Sequence, residues 1–98
     1  MPPVTSEADL VRALAAALGP AGDGVRLGIG DDCAVLARPP GELVWTVDAH
    51  VDAVHFRRTW LMYEDVGFRS YAAAASDVVA MGALPVAALS ALTLDPSV

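Results

Sequence analysis

The longest apolar stretch of the chain, residues 71–94, is the sequence feature that most constrains the fold. It is long enough to suggest a membrane span, but it contains the carboxylate of Asp77 and two breakers, Gly82 and Pro85. A carboxylate near the middle of a span costs roughly 2.5–3.5 kcal/mol on insertion scales. We therefore predict that the stretch is the end of a buried helix followed by a buried strand.

Capping and turn residues divide the chain into five predicted elements. The elements are a helix between the Thr5-Ser6 cap and Gly19-Pro20, a strand at residues 33–37, a strand at residues 43–51, a helix from Glu64 to about Met81, and a strand at residues 86–94. Residues 21–26 are predicted as a glycine-containing turn. This order favours one small α+β domain, with a mixed sheet and helices packed on one face.

The chain is richer in apolar residues than a typical soluble domain. Apolar residues make up 55% of the 98 residues, and the mean hydropathy is +0.49. Typical soluble domains contain about 45–50% apolar residues on a count that includes glycine. We expect the excess apolar surface to contact a second copy or a further domain. We also expect that the chain is part of a longer protein whose C-terminal domain is absent.

Charge and cysteine content narrow the classes of partner. Twelve acidic residues against six basic ones give a net charge of −6, which argues against nucleic acid or an anionic membrane. A phosphate ligand stays possible, because a bound cation can reverse the local charge. The single cysteine, Cys33, excludes an internal disulfide and is consistent with a cytoplasmic location. Residues 1–4 show no signal-peptide pattern.

The predicted strand at residues 43–52 separates apolar from polar side chains, because successive side chains of a strand point to opposite faces. One face carries Leu43, Trp45, Val47, Ala49 and Val51, and the other carries Val44, Thr46, Asp48, His50 and Asp52. A hydroxyl, an imidazole and two carboxylates thus share one side. The pattern also fits an ordinary strand with one solvated face.

Asp77 lies in a helical segment with few other polar residues. Burying an unpaired carboxylate is costly, so this side chain must meet water, a partner or a metal ion. Ser70, Ala73 and Ala74 share its helical face, and their small size leaves space for a ligand. The alternatives are an ion pair between Asp77 and Arg69, or a position of Asp77 at a domain edge.

The segment Gly28-Ile29-Gly30-Asp31-Asp32 combines glycines with adjacent carboxylates. Backbone amides at glycines can hold anions, and carboxylates together with substrate phosphates commonly hold Mg²⁺. An Asp-rich turn is the alternative. Together with the strand and the helix, the segment fits a magnesium–phosphate site, which is what phosphoryl transfer requires.

Three motifs resemble the N-terminal part of the thiamine-monophosphate kinase family. They are Gly28-Ile29-Gly30-Asp31-Asp32-Cys33-Ala34-Val35-Leu36, then Thr46-Val47-Asp48 followed by His55-Phe56, and then Ser76-Asp77-Val78-Val79-Ala80-Met81-Gly82-Ala83-Leu84-Pro85. The resemblance covers roughly residues 5–95 and extends to the wider superfamily that includes aminoimidazole ribonucleotide synthetase. It implies that ATP donates its γ-phosphoryl group to thiamine phosphate, giving thiamine diphosphate.

The resemblance also implies roles for individual residues. Magnesium ligands would be Asp32, Thr46, Asp48 and Asp77, with the backbone of Val47; His55 would contact thiamine phosphate; and Gly28, Gly30 and Asp31 would lie near the nucleotide phosphates. The family pairs its N-terminal halves in a homodimer, and a C-terminal domain completes the cleft. The whole chain, residues 1–98, would then be the N-terminal ATP- and magnesium-binding and dimerisation domain.

Some positions depart from the family pattern. Ala49 follows the strand carboxylate where Thr or Met is frequent, Ala74 replaces a usual Asn, and Arg69 matches a frequent Lys. These changes affect the substrate side more than the metal ligands. Two alternatives stay open: a related ATP-dependent synthetase of the same superfamily, and a dimerisation module without catalytic activity.

Overall fold

A computed structural model describes residues 6–38 and 40–95. Contacts between residues divide the chain into two units, residues 1–42 and 43–98. The first unit carries the glycine-rich segment of the candidate site, and the second carries Asp48, His55 and Asp77.

The first unit begins with helix α1, Glu7–Leu18. The hydroxyl of Ser6 accepts a hydrogen bond from the Asp9 N–H at 3.2 Å, which satisfies one donor that the first helical turn leaves unpaired. At the other end, Gly19 adopts a positive φ of 73°, and its N–H donates to the Ala15 carbonyl. Helix α1 therefore begins after Ser6 and ends before Gly19, as the sequence predicts.

Two short strands follow, β1 at Val25–Leu27 and β2 at Val35–Leu36. They pair antiparallel, with Val25 opposite Leu36 and Leu27 opposite Val35. The prediction of a strand at residues 33–37 is confirmed over a shorter range. The prediction of a turn at residues 21–26 is wrong at its end, because Val25 begins a strand that is too short to show a periodic pattern.

The second unit contains helix α2, Tyr63–Ala80. A carboxylate oxygen of Asp65 accepts a hydrogen bond from the Met62 N–H at 3.2 Å at the start of the helix. At its end, the Gly82 N–H donates to the Val79 carbonyl at 2.9 Å, and Gly82 adopts a φ of 76°. The predicted helix from residue 64 to residue 81 is confirmed.

The strands predicted at residues 43–51 and 86–94 do not form in the described part of the chain. A strand requires a hydrogen-bonded neighbour, and residues 43–95 supply none beyond an isolated bridge between Asp52 and Phe56. The α+β class is confirmed by two helices and a sheet. The sheet has two antiparallel strands instead of the mixed arrangement predicted, and within the first unit α1 does not pack against it.

Large apolar side chains remain open to solvent. No residue within 6–38 and 40–95 is buried, and Trp45 and Val47 are 73% and 95% exposed. Among the described residues, no helix or strand therefore covers the apolar side chains of residues 43–51. Neither α1 nor α2 is long and apolar enough to cross a membrane.

Two glycines of the second unit, one inside α2 and one just after it, provide a matched test of where α2 ends. A Cβ atom at Gly67 or at Gly82 would meet open space, but only Gly82 has a positive φ. We expect Gly67→Ala to stabilise α2 by about 0.5–1 kcal/mol and Gly82→Ala to destabilise it by about 1–2 kcal/mol. Thermal unfolding followed by far-UV circular dichroism measures both changes. Shifts of the same sign would contradict the assigned end of α2.

Candidate functional site

Residues 51–58 form a tight turn that positions His55. The His55 N–H donates to the Val51 carbonyl at 2.9 Å, and the Ala53 N–H donates to the Phe56 carbonyl at 2.8 Å. These backbone bonds fix the positions from which the side chains of the turn project. The resemblance predicted His55 as a substrate contact, and the structure places it in a turn closed by several hydrogen bonds.

The carboxylate of Asp52 links the two ends of this turn. One of its oxygens accepts hydrogen bonds from the Ala53 N–H at 2.9 Å and from the Arg58 N–H at 3.3 Å. Short acidic side chains favour turns because they accept hydrogen bonds from nearby backbone groups. The sequence analysis placed Asp52 on the polar face of the predicted strand at residues 43–52, although Asp is also among the residues that favour turns.

The imidazole of His55 is held in one hydrogen-bonding state. The Val51 N–H donates to its Nδ1 atom at 3.0 Å. When Nδ1 accepts a hydrogen bond, the neutral ring carries its proton on Nε2. The exposed side chain therefore offers an Nε2–H donor, which suits a phosphate oxygen. The ring of His50 lies nearby, with 5.8 Å between the two ring centroids.

The same turn contains a strained backbone position. Ala53 has a φ of 64°, the one positive φ of a non-glycine residue in the described ranges. The left-handed conformation costs an L-residue roughly 1–2 kcal/mol. The hydrogen bonds made by Asp52 and by the backbone maintain it, so the turn is held by its closing bonds and not by the preference of Ala53.

The candidate metal ligands of the second unit are accessible. Asp48 and Asp77 are exposed, and Thr46 is half-buried. One carboxylate oxygen of Asp48 accepts from the Ala49 N–H at 3.0 Å, which leaves its other oxygen open. In the described residues an ion pair joins Arg12 and Asp9, whereas Asp77 forms none with Arg69, so the ion-pair alternative for Asp77 is not realised.

The helical face beside Asp77 is flat. Ser70, Ala73 and Ala74 are half-buried. The Ser70 hydroxyl donates to the Val66 carbonyl at 2.7 Å, so this polar group lies against its own helix. The face beside the exposed Asp77 carboxylate therefore consists of small, half-buried side chains, and space for a ligand there stays a prediction.

The glycine-rich segment belongs to the first unit. Gly30 has a φ of 118°, a conformation that L-residues rarely adopt, so the backbone here requires a glycine. A Cβ atom at Gly28 would lie 3.4 Å from the Ala21 side chain. Next to them, the Asp32 N–H donates to a carboxylate oxygen of Asp31 at 2.8 Å. The Asp32 carboxylate is exposed.

Convergence of the carboxylates stays a prediction. Across residues 6–38 and 40–95, no three Asp, Glu, His or Cys side chains are grouped closely enough to hold a metal ion. Asp32 lies in the first unit, whereas Asp48 and Asp77 lie in the second. The donor types nevertheless fit Mg²⁺, which prefers carboxylate and other hard oxygen ligands and is usually bound by few protein groups.

Sequence reasoning assigned no site role to Arg57. This side chain, together with His55 and Arg69, lines a depression of about 340 Å³ beside α2. The signal in the sequence was an Arg-Arg pair directly after His55-Phe56, in a chain with twice as many acidic as basic residues.

Two helices and a small antiparallel sheet define an α+β protein. The domain family AIR synthase related protein, N-terminal domain, matches residues 30–98. The chain therefore belongs to this family.

Curated relatives are similar over most of the chain. The thiamine-monophosphate kinase of Haemophilus influenzae is 42% identical over 73 residues, which are 74% of this chain and 22% of that protein. The enzyme of the same name from Bacillus subtilis is 39% identical over 62% of this chain and 19% of its own length. The one from Mycobacterium tuberculosis is 42% identical over 60% of this chain and 18% of its own length. The chain thus spans about a fifth of these relatives. No solved structure shows significant similarity to it.

Replacing Ala53 tests the strain in the turn. We expect Ala53→Gly to raise the free energy of unfolding by up to about 1 kcal/mol, because glycine adopts the positive φ of this position without steric cost. Ala49→Gly is the matched control, since Ala49 has no positive φ, and it should be neutral or destabilising. Denaturant unfolding measures both. Equal effects of the two substitutions would show that the turn stores no strain at Ala53.

Proposed function

We propose that this chain is the N-terminal domain of a magnesium-dependent kinase that transfers the γ-phosphoryl group of ATP to thiamine phosphate, giving thiamine diphosphate. The observation that carries the proposal is the 42% identity to the Haemophilus influenzae thiamine-monophosphate kinase over 74% of the chain. The exposed carboxylates and the Nε2–H donor of His55 supply the groups that such a reaction needs.

Asp32, Thr46, Asp48 and Asp77, with the carbonyl of Val47, are the proposed magnesium ligands. Their support is chemical: all offer oxygen atoms, and the Asp48 and Asp77 carboxylates are exposed. Bound magnesium neutralises phosphate charge and aligns the attacking and leaving oxygens in such reactions. The protein contributes fixed positions for the ligands, from a turn for Asp32 and from α2 for Asp77.

The remaining proposed roles concern phosphate groups. His55 donates from Nε2 to the phosphate of thiamine phosphate, while the Val51 N–H holds the ring in place. The backbone at Gly28 and Gly30 approaches the nucleotide phosphates, which the unusual φ of Gly30 allows without side-chain obstruction. Asp31 keeps the adjacent turn in shape through its bond with the Asp32 N–H.

We propose further that the protein is a cytoplasmic homodimer. Its use of ATP fits the cytoplasm. The exposed apolar side chains of residues 43–51, including Trp45 and Val47, are the surface that a second copy would cover. A C-terminal domain, as the resemblance implies, would complete the cleft; the match covers about a fifth of the relatives.

Removing single carboxylates tests the metal sites. In the intact kinase, Asp48→Asn and Asp77→Asn should each lower turnover at least about a hundredfold, with an unchanged melting temperature, because both side chains are exposed. Glu64→Gln in the first turn of α2 is the matched control and should retain activity. Coupled assays of thiamine diphosphate formation across a magnesium titration give the result. Near-normal rates of either Asp variant would refute its metal role.

The 98-residue chain alone should bind magnesium weakly and show little or no kinase turnover, since it contains about a fifth of the length of its relatives. Isothermal titration calorimetry and the same coupled assay check these two expectations. Turnover comparable with that of a full-length kinase would show that no further domain is needed.

A further inference from the structure

The second unit contains a basic depression between the 51–58 turn and α2. Three of its lining side chains are basic: His55, Arg57 and Arg69. The other lining residues are Ala53, Val54, Phe56, Trp60 and Leu61, so no carboxylate lines it. In a chain with a net charge of −6, this depression is a local reversal of sign.

Both guanidinium groups are available to a ligand. Within residues 6–38 and 40–95, neither Arg57 nor Arg69 forms an ion pair. The Arg57 guanidinium lies over the ring of Trp60, with 5.1 Å from its central carbon to the ring centroid. This cation–π contact restricts the side chain while its N–H groups stay free to donate. Arg69 reaches the same depression from α2.

We propose that this depression binds the phosphate group of the acceptor substrate, with Arg57 and Arg69 as the main anion ligands and His55 Nε2–H as a third donor. Guanidinium groups bind phosphate oxygens through paired N–H donors. A volume of about 340 Å³ admits a phosphate and part of the group it is attached to. The assignment rests on the proposed function and specifies how a phosphate monoester is preferred over its unphosphorylated form.

The neighbouring Arg58 provides a matched control. Its guanidinium lies over the Tyr63 ring, 4.9 Å from the centroid, and it lines a different depression together with Asp52. Arg58 therefore has the same charge, a similar aromatic contact and an adjacent position in the sequence, but it does not face the basic depression.

The first experiment measures binding of inorganic phosphate to the intact protein by calorimetry, without ATP and with a chelator that removes magnesium. Arg57→Gln and Arg69→Gln should each weaken phosphate binding roughly tenfold or more, because a charge-assisted hydrogen bond is lost. Arg69→Lys should lose less, and Arg58→Gln should bind as the wild type does. Absence of phosphate binding by the wild type, or equal affinity in all variants, would overturn the proposal.

The second experiment measures kinase kinetics and competition by unphosphorylated thiamine. The Arg57→Gln and Arg69→Gln variants should show a KM for thiamine phosphate raised roughly tenfold or more, with kcat little changed. Their affinity for unphosphorylated thiamine should not change, a result that general damage to the fold would not give. An unchanged KM would overturn the phosphate subsite. A wild type that binds phosphate but does not phosphorylate thiamine phosphate would instead refute the proposed kinase and leave the anion site standing.

Discussion

The reciprocal pair of hydrogen bonds between Val51 and His55 is the interaction on which the position of the His55 imidazole depends. The His55 N–H donates to the Val51 carbonyl, and the Val51 N–H donates to the His55 imidazole. One bond closes the turn, and the other selects the nitrogen that faces outward. Asp52 adds two further closing bonds. A loop without regular secondary structure thereby holds the His55 side chain in a defined orientation, at the expense of a left-handed Ala53.

The second constraint is the apolar surface that the described residues leave uncovered. Hydrophobic burial contributes about 25 cal/mol per Å² of apolar area removed from water, so side chains such as Trp45, Val47 and Leu84 are a substantial unused source of stability. Residues 43–51 and 86–94 have the composition of strands but lack neighbours in this part of the chain. Their apolar side chains are suited to contacts with other polypeptide segments, which would supply both burial and hydrogen bonds.

The distribution of charge gives the two kinds of candidate site opposite characters. The carboxylates of Asp48 and Asp77 are exposed and suit a cation, whereas Arg57 and Arg69 line a depression without carboxylates and suit an anion. A kinase whose acceptor is a phosphate monoester, as proposed for this protein, would need both, because its nucleotide binds with magnesium and its acceptor is an anion. The acidic net charge of the chain by itself indicated only the cation site.

The sequence by itself determined the two helices, since their caps and breakers are local: Ser6 and Gly19 bound α1, and Gly82 ends α2. It also determined the family, because the Gly-Asp-Asp, Thr-Val-Asp and Ser-Asp motifs are read directly. It did not determine the pairing of β1 with β2, the lack of a paired strand for residues 43–51 among the described residues, or the turn around His55. Strand pairing and side-chain hydrogen bonds join residues that periodicity does not connect, so only the tertiary structure decided which backbone groups meet and that Arg57 and Arg69 line one depression.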